Sequence, residues 1–148
     1  MLWLLRHAQA ADGRPDEARP LTEEGLRDAR AIGLSLSRMG VRLDHCLASP
    51  KRRAQQTAQL ACAPLGVEVI TERALAGPAF DAERLAAGLG ETLLVGHNPV
   101  ISGAVRELTG ARVHLRPGGL AAVERGELVM LMTTEQCRAM AATVEAAA

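Results

Sequence analysis

The sequence predicts an α/β fold, a single-domain three-layer α/β/α sandwich around a largely parallel central sheet. Short apolar runs alternate with segments of helical periodicity over most of the chain, and this alternation is typical of a parallel sheet with helices on both faces. The 148 residues fit one domain, residues 1–148, which is long enough to bury about two-thirds of its unfolded surface. The sequence contains no internal repeat, and no segment has the composition of an interdomain linker.

The N-terminal part is expected to supply a strand, a long loop and a helix. Residues 1–5 form an unbroken apolar run, which predicts a buried strand. Residues 8–21 contain one glycine and two prolines among charged residues, and a loop of this length suggests a function beyond connection. Thr22 is expected to cap a helix that runs to about Met39, because two glutamates follow in its first turn, where the helix dipole favours them.

A second strand and helix are expected next. Residues 43–48 predict the strand, and Ser49-Pro50 predicts the N-cap and first position of the following helix. That helix is expected to end near Ala63, because Pro64 cannot continue it. Residues 67–70 predict a short strand.

The C-terminal part continues the alternation and ends in a hairpin. The expected elements are a short helix from Asp81 to about Ala87, a buried strand over residues 92–95, a helix from Val100 to Leu108, strands over residues 120–123 and 128–132 joined across Arg125-Gly126, and a helix-prone tail from Thr133.

Composition excludes several classes of partner. Seventeen basic residues balance seventeen acidic ones, so no net field favours DNA, RNA or an anionic membrane surface. Trp3 and Phe80 are the only Phe, Trp or Tyr residues, whereas base-stacking modules depend on such side chains. We therefore expect neither a nucleic-acid nor a membrane partner.

The cysteines and the N-terminal segment bear on the compartment. Cys46, Cys62 and Cys137 form no CxxC and no close pair, which favours buried free thiols over a disulfide scaffold or a zinc site. The apolar run of residues 1–5 is shorter than a signal-peptide core, and no segment reaches the length of a membrane span. We expect a cytoplasmic protein.

Three of the expected strands end in residues of matching chemistry. Arg6-His7 follows the first strand, Ser49-Pro50 with Arg53 follows the second, and Gly96-His97-Asn98 follows the strand over residues 92–95. If these strands are parallel, the residues meet at the sheet edge where open α/β sheets bind ligands. Guanidinium groups hold phosphoryl oxygens in pairs, and imidazole can form covalent intermediates. The convergence suits a phosphoryl group, and the arginines make a metal unnecessary.

Each of these residues also has a structural alternative. Arg6 fits a surface charge, and a single histidine at a strand end is more often a satisfied polar residue than a nucleophile. Residues 51–53 fit a solvated helix face, and Gly96-His97-Asn98-Pro99 fits a simple turn. If all three segments had only these structural roles, the meeting of their residues at one edge of the sheet would require three coincidences. His45 and His114 have no such partners, and we expect surface or structural roles for both.

The motifs resemble those of the histidine phosphatase superfamily, also called the phosphoglycerate mutase-like family. Arg6-His7-Ala8 is similar to its Arg-His-Gly signature, with Ala8 replacing the glycine, and Leu21-Thr22-Glu23-Glu24-Gly25 is similar to its Leu-Thr-x-x-Gly segment. Residues 49–57 match Ser-Pro-x-x-Arg-Ala-x-Gln-Thr, and Gly96-His97-Asn98 matches the second histidine motif. The order and intervals agree over residues 1 to about 105. The N-terminal motif, the segment around Arg19 and the small size look most like SixA-type phosphohistidine phosphatases.

The resemblance implies a phosphoglycerate mutase-like fold and a metal-independent phosphatase without a cofactor. The implied substrate is phosphohistidine on a partner protein of the histidine-phosphotransfer type, hydrolysed through a phosphohistidine enzyme intermediate. Relatives that are mutases carry insertions over the pocket, and their absence here implies an open site that admits a protein surface. The implied site residues are His7 as the nucleophile, Arg6, Arg53 and His97 around the phosphoryl oxygens, and Arg19 and Asn98 as further substrate contacts.

The sequence departs from the larger relatives at the proton donor. Those relatives carry a glutamate between the second and last motifs, whereas residues 75–81 offer no clear equivalent and leave Asp81 or Glu83 as a guess. An alkoxide leaving group needs a general acid. Phosphohistidine instead releases an imidazole, with an ordinary pKa of about 6.5. The missing acid therefore favours a P–N substrate over a phosphomonoester.

Other functions stay open on the sequence alone. A small-molecule phosphomonoesterase acting on a sugar or nucleotide phosphate would use the same pocket. A non-catalytic phosphate-binding module would keep the pocket but would not need His7 as a nucleophile. A metal site on His7 and His97 is disfavoured by the nearby arginines.

Overall fold

A computed structural model of the protein describes residues 1–147, and the side chains of residues 1–143. Its centre is a six-stranded sheet. The strands are β1 (Leu2–Arg6), β2 (His45–Ala48), β3 (Val69–Thr71), β4 (Thr92–Gly96), β5 (Leu120–Glu124) and β6 (Glu127–Met132). They lie in the order β3-β2-β4-β1-β5-β6. The first four in this order are parallel, β5 pairs antiparallel with β1, and β6 pairs antiparallel with β5. The prediction of a largely parallel sheet is confirmed.

Helices cover both faces of the sheet. The α-helices of the described residues are α1 (Glu23–Arg38), α2 (Arg52–Cys62), α3 (Ala82–Ala86), α4 (Val100–Thr109) and α5 (Thr134–Ala147). The core on one face joins the sheet to α1, α2 and α5. The cores on the other face join it to α4 and α3. The predicted α/β/α sandwich is confirmed.

The alternation of side chains along β1 shows how the layers are held. Successive residues of a strand point to opposite faces, and Leu4 and Leu5 are both fully buried. Leu5 packs in the cluster that contains Ile32 of α1. Leu4 packs in the cluster that contains Ile101 of α4. A strand buried on both faces is a rigid support for the residues that follow it.

Two other buried features of the sheet and its helices follow from the sequence. Trp3 in β1 is 2% exposed, and its indole N–H donates to Glu91 Oε1 at 3.1 Å. The three cysteines are unpaired and buried, in agreement with the expectation of free thiols. Among residues 1–147, none of the helices combines the length and the hydropathy that a membrane crossing requires.

The start of α2 differs from the expectation. The sequence predicts Ser49 as its N-cap with Pro50 at the first helical position, but α2 begins at Arg52 and its N-cap is Lys51. The prediction is wrong because Ser49 continues the strand: its N–H donates to the Val95 carbonyl of β4 at 3.0 Å. β3 also begins later than expected, at Val69, because its pairing with β2 starts there.

Candidate active site

The register of the parallel strands brings three chain segments to one edge of the sheet. Arg6 at the end of β1 lies beside Gly96 at the end of β4. Ala48 at the end of β2 lies beside Val95 on the other side of β4. The residues that follow, His7, Ser49 and His97, therefore emerge together at the carboxyl ends of adjacent strands, where open α/β sheets bind ligands.

His7 is held in one tautomer by the main chain. His7 is buried, with 9% exposure. Its main-chain N–H donates to the Gly96 carbonyl at 3.0 Å. Its Nδ1 lies 2.7 Å from the carbonyl oxygen of Ala8. A carbonyl only accepts, so Nδ1 of the neutral ring carries the proton and Nε2 keeps its lone pair. The unprotonated Nε2 is the atom that a nucleophile requires.

The rings of the two histidines lie close together and are tilted relative to each other. The ring centroids of His7 and His97 are 5.1 Å apart, with the ring planes tilted by 55°. Burial lowers the pKa of His7 to about 4, and the charges of Arg53 and Arg6 act in the same direction. Burial likewise lowers the pKa of His97 to about 3, with further contributions from His7 and Arg53. Both rings are therefore neutral at neutral pH.

Arg6 is anchored by the loop that follows α4. Its Nη1 donates to the carbonyl oxygen of Leu115 at 3.0 Å, while the main-chain oxygens of Arg6 and His7 both accept from the N–H of Gly118 at 3.0 Å. Burial lowers the pKa of Arg6, but a guanidinium stays protonated in proteins. The Arg6-His7 pair is thus fixed by residues more than 100 positions away in sequence, a contact that no local motif indicates.

Asn98, expected as a substrate contact, belongs to this scaffold. Its amide Nδ2 donates to the same Leu115 carbonyl at 2.6 Å. Its Oδ1 accepts from the hydroxyl of Ser102 at 2.6 Å, and that hydroxyl accepts from the N–H of Leu115 at 3.0 Å. The amide is therefore engaged with the loop that holds Arg6.

Arg53 is buried at the start of α2 and is held by Asp16, a residue that the motif analysis did not single out. Arg53 is 6% exposed. Its Nη1 donates to the main-chain oxygen of Asp16 at 2.9 Å, and its Nη2 donates to Asp16 Oδ2 at 3.3 Å. The remaining N–H groups of the guanidinium are available for an anion. The only indication of this contact in the sequence is that the long loop over residues 8–21 contains carboxylates.

The carboxylate of Asp16 also accepts hydrogen bonds from two further cationic side chains. Its Oδ2 accepts from Lys51 Nζ at 2.9 Å, and its Oδ1 accepts from Arg19 Nη1 at 3.2 Å. Arg19 also donates from Nε to the Ala11 carbonyl at 2.8 Å. Hydrogen bonds from Lys51, then Arg19, hold the pKa of Asp16 far below its usual value. Arg19 thus lies in the loop beside Arg53, next to the pocket as the sequence predicts.

Residues of the other two motif segments hold the chain that follows His7 in place. The N–H of Ala8 donates to Thr57 Oγ1 at 3.0 Å, and that hydroxyl donates to the Arg53 carbonyl at 2.7 Å. A Cβ on Gly25 would collide with the main-chain oxygen of Gln9. The glycine of the Leu-Thr-x-x-Gly segment is therefore needed for the close approach of α1 to the chain that follows His7.

The two carboxylates considered as proton donors lie elsewhere. Asp81 accepts a hydrogen bond from the Arg84 N–H at 3.1 Å as the N-cap of α3. Glu83 lines a surface groove with Met1 and Leu2 at the start of β1, the opposite end of the strand from His7. Neither position fits a proton donor at the site. In the described part of the chain, no group of three or more His, Cys, Asp or Glu residues is arranged to hold a metal ion.

The site contains buried polar atoms that lack a hydrogen-bond partner. Within the described residues, three buried side-chain nitrogen or oxygen atoms have no hydrogen-bond partner, and two of them, Arg6 Nε and His97 Nδ1, belong to this site. Each unmade hydrogen bond of a buried polar group costs about 1–3 kcal/mol. Such atoms are expected where a polar ligand completes the network.

The sheet, its helices and the paired histidines and arginines define a phosphoglycerate mutase-like α/β protein. A sequence model of the histidine phosphatase superfamily (branch 1) matches residues 2–82. The chain belongs to this superfamily, as the motifs predict. An uncharacterised protein of Picosynechococcus sp. is 34% identical, and the match covers 84% of this chain and 85% of that protein.

Solved structures with the same fold include phosphatases of more than one kind. A protein histidine phosphatase SixA complexed with tungstate superposes with a TM-score of 0.77 at 23% identity, over 90% of this chain and 96% of that one. A proposed phosphohistidine phosphatase SixA from Nakamurella multipartitia gives 0.73 at 28% identity, over 88% and 94%. A proposed alpha-ribazole-5'-P phosphatase from Escherichia coli gives 0.65 at 20% identity, over 89% and 94%. The predicted likeness to SixA phosphatases is confirmed.

Proposed function

We propose that this protein is a phosphohistidine phosphatase that hydrolyses phosphohistidine on a partner protein through a covalent intermediate on His7. We further propose that residues 1–148 form one histidine phosphatase domain that needs no metal or cofactor. The observation that carries the proposal is the pair of buried nitrogens without a partner, Arg6 Nε and His97 Nδ1, beside the bare Nε2 of His7. A phosphoryl group supplies oxygen atoms that can bond to these nitrogens and an electrophilic phosphorus for Nε2.

In the first step, His7 Nε2 attacks phosphorus as the bond from phosphorus to the substrate nitrogen breaks. The leaving ring departs as neutral imidazole when its other nitrogen carries a proton, which solvent supplies near the ordinary histidine pKa of about 6.5. In the second step, water attacks phosphorus, the bond to His7 Nε2 breaks, and inorganic phosphate leaves. Arg6, Arg53 and His97 stabilise the charge on the phosphoryl oxygens in both transition states.

The positions of Asp81 and Glu83 and the ionised state of Asp16 support a P–N substrate. Asp81 caps α3, and Glu83 lines the groove at the start of β1. Asp16 is near Arg53, but its strongly lowered pKa keeps it ionised and unable to donate a proton. A phosphomonoester leaves as an alkoxide and needs such a donor. We therefore expect ordinary esters to be poor substrates.

A small-molecule phosphomonoesterase is the second candidate, because a proposed alpha-ribazole-5'-P phosphatase shares the fold. A substrate panel separates the two. We expect a phosphorylated histidine-phosphotransfer domain to be hydrolysed with a kcat/KM at least about tenfold above those of sugar and nucleotide phosphates, the rate ratio that corresponds to about 1.4 kcal/mol. A higher kcat/KM for an ester would refute the P–N assignment.

Quenching in alkaline detergent with radiolabelled substrate tests the covalent step, because phosphohistidine survives alkali and hydrolyses in acid. We expect a phosphoenzyme with the acid lability of phosphohistidine in the native protein and none in His7→Ala. The matched control is His114→Ala, since His114 is an exposed residue outside the site. A native protein that binds phosphate but never becomes labelled would identify a binding module instead of an enzyme.

A further inference from the structure

His97 contacts the scaffold with one ring nitrogen and leaves the other unpaired. Its Nε2 lies 2.7 Å from Ser49 Oγ, whereas its Nδ1 is buried without a partner among the described residues. The ring centroid is 5.1 Å from that of His7, so Nδ1 is near any group bound to His7. The location of the ring proton decides whether Nδ1 offers that group a hydrogen or a lone pair.

The surroundings of Ser49 determine which atom its hydroxyl hydrogen is donated to. Ser49 is 0% exposed, so its hydroxyl cannot donate to bulk water. Its oxygen accepts from the N–H of Lys51 at 3.3 Å. In the described part of the chain, the other partner of this oxygen is His97 Nε2. Buried hydroxyls are nearly always hydrogen-bonded, and the hydroxyl hydrogen is used only if it is donated to Nε2.

We propose that Ser49 is a positioning residue that holds neutral His97 in the Nδ1–H tautomer, so that Nδ1 donates to an oxygen of the phosphoryl group carried at His7. The identity of that group rests on the proposed function. The opposite tautomer leaves the Ser49 hydroxyl without an acceptor and places the Nδ1 lone pair against a negatively charged oxygen. With the Nδ1–H tautomer, every polar atom of the Ser49–His97 pair is satisfied once an anion is bound.

The His97 ring of the wild-type protein tests this directly, and a substitution is used only to assign its signals. The full chain, labelled with 15N-histidine and saturated with inorganic phosphate, is examined by long-range proton–nitrogen correlation, and the His97 signals are assigned as those missing from His97→Gln. Protonated and unprotonated ring nitrogens have well-separated shifts. We expect a protonated Nδ1 and an unprotonated Nε2. A protonated Nε2 with a bare Nδ1 would overturn the proposal.

Ser49→Ala tests the role of the hydroxyl. We expect the Nδ1–H signature of His97 to be replaced by a mixture of tautomers or by Nε2–H. We also expect kcat/KM to fall about tenfold, which is less than the loss of a direct oxyanion donor. The control is Ser35→Ala, which removes another fully buried hydroxyl, one that donates within α1 and to Cys137. This control should leave the tautomer and kcat/KM unchanged.

The outcomes separate this proposal from the proposed function. An unchanged Nδ1–H signature in folded Ser49→Ala overturns the role of Ser49, even if the protein is an active phosphatase. A protein that never forms a phosphoenzyme refutes the proposed activity, while the His97 signals still decide the tautomer. If Ser49→Ala does not fold, the spectrum of the wild-type protein alone decides which ring nitrogen of His97 carries the proton.

Discussion

Asp16 holds Arg53 at two points, since its main-chain oxygen accepts from Nη1 at 2.9 Å and its carboxylate accepts from Nη2 at 3.3 Å. The same carboxylate also accepts from Lys51 and Arg19. One loop residue therefore orients the buried arginine of α2 and ties it to the cations around the pocket. This arrangement predicts a functional effect for a residue outside the histidine and arginine motifs.

Asp16→Asn keeps the main-chain contact to Arg53 but removes the charge that pairs with Nη2. We expect kcat/KM on the phosphohistidine substrate to fall about tenfold, or about 1.4 kcal/mol, because Arg53 loses part of its orientation. Steady-state kinetics provide the measurement. Glu17→Gln is the control, since it removes the neighbouring negative charge at an exposed position and should have little effect. Equal effects of the two substitutions would argue for a general charge effect instead of positioning.

Asn98→Ala is expected to weaken both folding and activity. The substitution deprives the Ser102 hydroxyl of its acceptor and the Leu115 carbonyl of one donor, a loss of about 1–3 kcal/mol of stability. Because the same carbonyl holds Arg6, kcat/KM should fall as well. Thr109→Ala, which removes a hydroxyl that donates to the Val105 carbonyl and accepts from the Ala111 N–H at the other end of α4, is the control for stability. Lower activity at unchanged thermal stability would instead indicate that Asn98 touches the substrate.

Two glycines in helices are expected to respond in opposite ways to alanine. Alanine exceeds glycine in helix propensity by about 1 kcal/mol, and a Cβ on Gly103 would meet open space. Gly103→Ala should therefore raise the free energy of unfolding by about 0.5–1 kcal/mol. At Gly25 the Cβ would collide with the Gln9 carbonyl, and overpacking of about 1–3 kcal/mol exceeds the propensity gain. Urea unfolding of the two variants checks the difference in sign.

The lowered pKa of His7 predicts a pH dependence of stability. Burial lowers the pKa of folded His7 to about 4, whereas the ordinary value is about 6.5. Between these values the unfolded state binds a proton that the folded state does not, so the stability is full above pH 6.5 and decreases as the pH falls towards 4. Between pH 7 and pH 5, we expect the native protein to lose about 2 kcal/mol relative to His7→Gln. An equal loss in both proteins would contradict burial of a neutral His7.

The same pKa predicts the acid side of the activity profile. His7 keeps its lone pair down to about pH 4, so the nucleophile should not limit kcat/KM at pH 5 to 6. A phosphohistidine substrate is also more fully protonated on its leaving ring in that range. We expect kcat/KM, measured under substrate-limiting conditions in matched buffers, to be maintained or to rise from pH 7 to pH 5.5. A decline with a midpoint near 6.5 would indicate an ordinary, solvated histidine.

Local patterns in the sequence were sufficient to predict the strands and helices, and with them the edge at which the site lies. The apolar runs before Arg6 and before Gly96 are buried on both faces of the sheet, and such runs are recognisable without tertiary information. Parallel pairing then follows from strand–helix alternation. The meeting of Arg6, Arg53 and the two histidines is a geometric consequence of that topology.

The supporting contacts depend on information that residue types do not carry. Ser49 has the sequence signature of an N-cap, but burial and strand pairing with β4 commit its hydroxyl to His97. Arg6 is anchored by a main-chain oxygen at Leu115, and any residue type could provide that atom. Asp16 lies 37 positions from Arg53 in sequence, so their pairing becomes visible only in three dimensions.

The indole of Trp3 is the only one in a chain without tyrosine, and it is buried in β1, the strand that presents His7. Intrinsic fluorescence therefore reports on a single location. Unfolding of β1, the strand that ends at Arg6-His7, will be seen as a red shift of one emitter, without contributions from other parts of the molecule. Trp3 is thus an intrinsic optical probe of the strand that supports the candidate site.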